Sequence, residues 1–462
     1  GSIRSLYPKL EIEGGAGVRP HKNSINNYCY PENPEAGIDL FLEKLVQETE
    51  KEHEDILEQA DETDAMFGEL YSWYLRNPEY RSRVQKLVQS AFAGKPKDII
   101  SQSVAKALYG EVSPYSATRL ERFAACAFAH FLQYGMKLTE RVEYEFKPMD
   151  MGNVMHEALE SFAEEVRKRG MKWTELTEQE RNEIADRCLD NIVADYGNTV
   201  LKSSARNEYM IERTRRILRR TVWALQKQLE QGEFQPEGFE VTFGGGRIDR
   251  VDIMEDQNKV YVKVIDYKTG NTSFDLVYLY HGLQLQLMIY LDGALRVEQK
   301  KYPDKEIIPA GVFYYNIKDP MIQEKIDADV EAVSAGLMKE LKMNGLAQAD
   351  PELVYRMDSS LGSIPVAFNK DGSFRKNSSV ADRTQFAVLG RYVRTKIEKI
   401  RSSILEGDAE VSPYELGKKN ACTYCPYMTV CGFDRRLSGY EFRRLKNFSD
   451  EELWKAFDRE AE

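Results

Sequence analysis

The chain of 462 residues has no run approaching the roughly 20 apolar residues that a membrane-spanning helix needs. It also lacks a basic-then-apolar leader, so no membrane is expected as a partner and cytoplasm is the default compartment. Cysteine is scarce. Six residues, at 29, 126, 188, 422, 425 and 431, are too few for a disulfide-stapled secreted scaffold, and a reducing environment is expected. No G-x4-G-K-[ST] sequence occurs: the glycines at 14, 15 and 17 lead into Val18-Arg19-Pro20, and those at 244 to 246 lead into Arg247. Without that phosphate cradle the chain is not expected to hydrolyse ATP. Nor is there a basic excess, the formal charge being −11. Charge summed over a chain says little about the local field in a groove, however, so nucleic acid stays open as a partner.

What the sequence does hold is a pair of β-rich runs, Val241 to Ile253 and Lys259 to Lys268, joined by the turn-forming Glu255 to Asn258, which predicts a hairpin. Along the second run Val260, Val262, Val264, Asp266 and Lys268 share one face, because side chains alternate with period two. A turn that sets Asp249 opposite Val264 makes Asp249 and Asp266 diagonal neighbours, about 7 Å apart at Cα and close enough for one cation to bridge. A slip of one residue would put the two acids on opposite faces. These residue types suit metal-dependent phosphodiester cleavage. Mg²⁺, or Mn²⁺ in its place, is typically held by one or two carboxylates together with water and substrate phosphate. The bound ion acidifies a water and offsets developing charge, while an ammonium such as Lys268 positions or activates the nucleophile. A D-x-K triplet alone is common on solvated hairpins, so its surroundings carry the weight.

GRIDRVD followed by VIDYKTG resembles motifs II and III of the RecB-type PD-(D/E)xK nucleases. Gln286 and Tyr290 in LQLQLMIY match that family's Q-x-x-x-Y element, and MGNVMHEALE matches its first motif, all four in family order. The resemblance implies an α/β fold, a restriction-endonuclease-like core whose central mixed sheet is flanked by helices. It implies that His156, Asp249 and Asp266 bind the metal and that Lys268 is the catalytic lysine. Gln286 and Tyr290 would orient that lysine or contact DNA. Taken alone, His156 lies beside Leu159 and Ala163 at the edge of an apolar helical face, where a histidine is more often a packed core residue. Gln286 and Tyr290, four apart on an apolar helix, would likewise read as packing.

Cys422, Cys425 and Cys431 form C-x2-C-x5-C in NACTYCPYMTVCGFD, a spacing at which a loop can turn three thiolates toward one metal or cluster. No fourth ligand is local, and the best candidate is Cys126 in LERFAACAFAHF. This one-plus-three arrangement around the nuclease motifs resembles the iron–sulfur staple of the AddB family, second subunits of AddAB helicase–nucleases, and of CRISPR-associated RecB-like nucleases. It implies a structural [4Fe–4S] cluster on Cys126, Cys422, Cys425 and Cys431. Zinc is the competitor, since four cysteine ligands suit it equally. Closing a loop of about 300 residues would remove unfolded-chain entropy, a gain that grows only logarithmically with length. Cys29 and Cys188 read as ordinary residues. The resemblance further implies an exonuclease on single-stranded DNA ends, cutting the 5′-ended strand in double-strand-break repair beside an AddA-type helicase–nuclease subunit. Two alternatives stand beside it. One is a free-standing CRISPR-associated nuclease, usually a shorter chain. The other is an inert DNA-binding or assembly module, against which the intact Asp249, Asp266 and Lys268 speak.

Arg213, Arg215, Arg216, Arg219 and Arg220 crowd one half of a predicted helix, with Met210, Ile217, Leu218 and Leu225 on the other half. Trp223 projects from the basic half. Arg213, Arg216, Arg220 and Trp223 are therefore candidate DNA contacts, with arginines for phosphates and the indole for bases. A solvated face paired with Glu208 and Glu212 explains the same pattern.

Residues 1 to about 35 read as irregular, and Asp39 to about Ala93 as helical until Gly94, Lys95 and Pro96 break the pattern. The first 110 residues would then be an irregular-then-helical segment, by resemblance a remnant of a helicase-like half. The nuclease domain would occupy 111–462. The opening Gly1-Ser2 looks like a cloning scar, so a longer parent protein is expected. Within the nuclease domain helices are predicted near 116–134, 151–169, 178–196, 206–231, 277–297, 328–344 and 382–406. A strand is expected at 307–316 and a polar hairpin at 364–376.

Overall fold

The computed structural model describes residues 34–50, 62–91, 99–110, 116–139, 148–195, 204–244, 246–322, 329–437 and 439–461. They form two compact units. One holds the described residues up to 91 together with Met428–Phe442, and the other holds 99–427 with 443 onward. The stretch expected to be irregular, and the Gly94–Pro96 break, lie outside the described residues apart from Pro34 and Glu35 at the start of the first helix.

The first unit carries α1 (Pro34–Glu50), α2 (Glu62–Arg76) and α3 (Pro78–Ala91). Pro78 separates the last two. It lacks the N–H that a continuing helix would need but fits the first turn of a new one. Ile38, Phe41, Leu45, Leu70, Tyr74 and Val84 make its small core, with Phe41 stacked on Tyr71 at 5.6 Å.

The second unit begins with α4 (Gln102–Tyr109), α5 (Ala117–Ala125) and α6 (Ala127–His130). Ser116 caps α5, accepting from Arg119 N–H. The predicted single helix 116–134 is interrupted at Cys126, whose backbone is extended. Three longer helices follow: α7 (Pro148–Lys168), α8 (Glu178–Asp195) and α9 (Ala205–Glu230). The sheet then opens with β1 (Gln235–Phe243), β2 (Gly246–Asp256) and β3 (Lys259–Lys268). After it come α10 (Leu276–Tyr280), α11 (Gln286–Lys301), β4 (Glu306–Asn316), α12 (Val330–Glu340), β5 (Asn344–Gln348), α13 (Pro351–Met357), β6 (Val380–Ala381) and α14 (Arg383–Glu406). A three-stranded patch of β7 (Tyr414–Leu416), β8 (Lys419–Asn420) and β9 (Arg443–Arg444) precedes the final α16 (Asp450–Ala461), and the short α15 (Met428–Cys431) belongs to the first unit.

The six strands lie in sequence order, β1-β2-β3-β4-β5-β6. Pairing is antiparallel for β1–β2, β2–β3 and β4–β5, and parallel for β3–β4 and β5–β6, so the sheet is mixed as expected. Each face has its own core. Phe162, Leu218, Ile265, Phe313 and Tyr315 pack with α7, α8 and α9, while Val262, Val264, Tyr314, Leu389 and Phe457 pack with α5, α11, α14 and α16. On the first of these faces a buried trio interrupts the apolar packing. Asp252 takes a two-pronged hydrogen bond from Arg250 (2.5 and 2.9 Å) and lies 3.0 Å from Lys263 Nζ, its register partner on β3.

Several expectations need correction. Val241 to Ile253 is not one strand. The Gly-rich turn after Phe243 divides it between β1 and β2, because glycine permits the reversal. Val251, not Asp249, stands opposite Val264, since the hairpin turns tightly on Gln257 and Asn258 alone. That two-residue shift preserves parity, so both acids still share a face, and the ladder's last pair, Arg250 with Ile265, stands next to both of them. The predicted helix 277–297 breaks at Gly282 (φ +78), leaving Gln286 as the first residue of α11. The one predicted over 328–344 stops at Glu340 and gives way to β5, whose Gly345 lies too close to the β4 backbone for any side chain. The hairpin expected within 364–376 is present but short: Phe368 bridges Phe374 antiparallel, Asn369 N–H donates to Ser373 C=O (2.8 Å) and Arg375 N–H to Ala367 C=O (2.9 Å).

Candidate active site

The ends of β1 and β3 and the start of β2 gather the acids. Asp249 and Asp266 are both buried, and Tyr267 N–H donates to Asp249 Oδ2 at 2.7 Å, locking one of its oxygens. Burial, and then the charge of Asp249, push the Asp266 carboxyl up to about 7 against the pull of Lys268, whose Nζ is 2.6 Å from Asp266 Oδ2. Lys268 Nζ also donates to Gln286 Oε1 at 2.7 Å, and Gln286 Nε2 to the Tyr290 hydroxyl at 2.9 Å. One turn of α11 separates Gln286 from Tyr290, which puts both on the helix face turned to the lysine.

His156 of α7 comes from the other side of the sheet. Its Nδ1 lies 3.3 Å from Asp249 Oδ2 and 3.7 Å from Glu240 Oε1. Burial pulls the imidazole pKa down, but the two carboxylates outweigh it and lift it to about 10. A site that grips a proton this firmly holds surplus negative charge, which is also what a divalent cation requires. His156, Glu240 and Asp249 each offer a ligand atom, all within 4.8 Å of one another. Asp266 lies beside this group, tied to Lys268.

Glu240 is the residue that sequence reasoning missed. In FEVTF it reads as one more strand position. The register of β1 against β2 sets it opposite Asp249, and its φ of +49 leaves the ladder and places its carboxylate beside His156. A left-handed backbone at a non-glycine residue costs energy and has no signature in composition or periodicity. Glu121 on α5 was missed as well: its Oε1 accepts from the N–H groups of Leu285 (2.7 Å) and Gln286 (2.9 Å).

Residues 114–432 match the PD-(D/E)XK nuclease superfamily, more than half of the chain. The chain belongs to that superfamily. The B subunit of the ATP-dependent helicase/deoxyribonuclease of Lachnoclostridium phytofermentans is 41% identical over the whole chain. The proteins of the same name from Thermoanaerobacter sp. and Clostridium acetobutylicum are each 33% identical, over 87% and 99% of the chain. The chain spans only 37% to 42% of the length of these curated relatives.

In this PD-(D/E)XK nuclease the described cysteines are divided between the two units. Cys126 is buried, and burial raises its thiol pKa, with Cys425 close enough to add its charge to the effect. Cys425 packs on the cluster formed by Cys126, Ala129, Leu132 and Tyr427. A turn joins Cys425 N–H to Cys422 C=O (3.1 Å), and Asn420 Oδ1 accepts from Cys422 N–H (2.9 Å). Cys431 belongs to the Met428–Phe442 segment of the first unit, where its sulfur accepts from Phe433 N–H. Cys188 is a buried residue of α8, and Cys29 lies outside the described residues.

The arginine face of the nuclease is only partly free. Arg215 and Arg219 are tied to Asp190 and Asp186 of α8, and Arg216 Nε is 2.6 Å from Asp319. Arg215 also reaches Glu212 at 3.3 Å. Arg213, Arg216, Arg220 and Trp223 line one groove with Arg181 and Val333, and the Arg220 guanidinium lies 5.3 Å over the Trp223 ring. Arg181 Nε and Arg220 Nε are buried donors without a hydrogen-bond partner.

Proposed function

We propose that this chain is the nuclease part of a B subunit of the helicase/deoxyribonuclease type. It would hydrolyse phosphodiester bonds of single-stranded DNA ends, chiefly the 5′-ended strand, during double-strand-break processing in the cytoplasm. An AddA-type helicase–nuclease subunit would supply translocation. The observation that carries the reading is the grouping of His156, Glu240 and Asp249 beside the chain Asp266–Lys268–Gln286–Tyr290. The curated relatives favour it over a free-standing CRISPR-associated nuclease.

The donor set fits a divalent cation: an imidazole and carboxylates converge, with their negative charge in surplus. Mg²⁺ or Mn²⁺ held by His156, Asp249 and Asp266, with Glu240 added, would supply Lewis acidity and a more acidic bound water. The chain's own residues do the positioning. Lys268 Nζ donates to Gln286 and is ion-paired with Asp266, and a further N–H of its three would meet a phosphate oxygen of the substrate. Asp249 is oriented by Tyr267 N–H, which leaves its other oxygen for the cation. The arginine groove would hold the strand through its phosphates, which the exposed Arg213 and Arg216 on its lining could meet.

In Mg²⁺ the protein should shorten a 5′-labelled single strand from that end, and in EDTA it should bind the strand without cutting. Arg213, which has no acid partner among the described residues, supplies the control for the groove. Arg213→Ala should weaken binding in EDTA and lower the slope of log affinity against log salt by about one. An unchanged slope would favour the solvated face.

Thiols are the right donors for an iron–sulfur cluster, and Cys126 and Cys425 lie near one another. Cys126, Cys422, Cys425 and Cys431 would hold a structural [4Fe–4S] cluster. Anaerobically purified protein is then expected to be brown, with about four irons per chain. Stoichiometric zinc in its place would sink this assignment.

A further inference from the structure

Helix α11 begins without a cap of its own. Leu285 stands at the capping position and has no side chain that could accept a hydrogen bond from the first free N–H groups. Such groups carry partial positive charge and are normally satisfied by a local Ser, Thr, Asp or Asn. Here the acceptor comes from another helix. Glu121 Oε1 takes both Leu285 N–H and Gln286 N–H, reaching across 164 and 165 residues of sequence. Gln286, whose backbone is gripped in this way, is the residue whose side chain receives Lys268 Nζ. Cys126 is the C-cap of the helix that carries Glu121.

We propose that Glu121 is a positioning residue for the lysine. By capping α11 from outside it fixes Gln286, and through Gln286 the Lys268 ammonium, so that α5 connects the cysteine region to the active site. The inference rests on the reading that Lys268 acts in catalysis. Glu121 touches neither the acids that would bind the cation nor the groove that would bind the strand, so its effect should fall on turnover and leave KM alone.

Glu121→Met keeps the volume and removes the acceptor. Its kcat on single-stranded DNA should fall about tenfold or more, the scale on which small misplacements of a catalytic group act, with KM and Mn²⁺ affinity unchanged. Glu121→Gln retains an oxygen for both N–H groups and should recover to within about threefold of wild type. In a double-mutant cycle, Glu121→Met combined with Gln286→Ala should be no slower than Gln286→Ala alone, since both break one path. Wild-type kcat in Glu121→Met, failure of Glu121→Gln to rescue, or multiplicative losses in the double variant would each overturn the proposal. Should Glu121→Met not fold, Glu121→Asp, which withdraws the oxygen by one methylene, must still lower kcat by about fivefold, and wild-type turnover there counts equally against it. Lys268→Ala separates the two layers. If it retains activity, the reading of the lysine itself fails. If it is inactive while Glu121→Met turns over at the wild-type rate, only the positioning role fails.

Discussion

Asp266→Ala is expected to lower cation-dependent cleavage of single-stranded DNA by about 10³-fold or more, since it removes a carboxylate from the cation site and one of the two anchors of Lys268. Folding should survive, and the pH dependence of stability gives an independent reading. Burial and Asp249 raise the native carboxyl to about 7, above its ordinary value of 3.8, so the native state keeps a proton that the unfolded chain releases. The stabilisation is complete below about pH 4 and is lost as pH rises toward 7. In EDTA, wild-type Tm should therefore fall over that interval, and the fall should shrink in Asp266→Ala. A cation takes the place of the missing proton, so Mn²⁺ should raise wild-type Tm more at pH 8 than at pH 5 and do little for the variant. Cleavage retained in Asp266→Ala would refute the site.

Asp252→Ala should cost stability on the order of 3–5 kcal/mol, the range seen when one partner of a buried ion pair is removed. Arg250 and Lys263 would be left as neighbouring buried cations without a carboxylate. Burial works against the Asp252 carboxylate, but the charges of Arg250 and Lys263 overcome it and hold its pKa below the usual range. Its contribution is therefore present above about pH 4 and lost as pH falls further, making acid unfolding another readout. Urea titration checks the loss, and an unchanged midpoint would show the trio to be dispensable. Replacing all three residues with apolar ones of similar size should cost far less, because no charge remains unpaired.

Much of the core was legible because it is written in short-range pattern. Alternating valines marked β3, the 3.6-residue period marked α7, α9 and α14, and the motif residues His156, Asp249, Asp266, Lys268, Gln286 and Tyr290 fell together in space. The hidden parts depend on contacts that no local pattern records. Glu240 enters the site through an unusual backbone angle, and Glu121 through a bond to a helix 165 residues away. The hairpin register turned on the difference between a four-residue and a two-residue turn. Short strands such as β5 and β6 draw their stability from neighbouring strands and carry little periodicity of their own. The arginines announced a basic face, but the acids of α8 that occupy part of it come from a separate segment.

Helix α5 is made early and put to use late. It packs against α14, and its Ala124 carbonyl accepts from Arg443, 319 residues further along the chain. At synthesis rates of about 5–20 residues per second, that gap lasts on the order of tens of seconds on the ribosome. For roughly the first half of this time the helix that α5 caps, 164 residues further along, has not been made, and its packing surface on α14 follows later still. The order of translation thus delays the lysine clamp until most of the protein has emerged, and a nascent or truncated chain remains a scissor without its rivet.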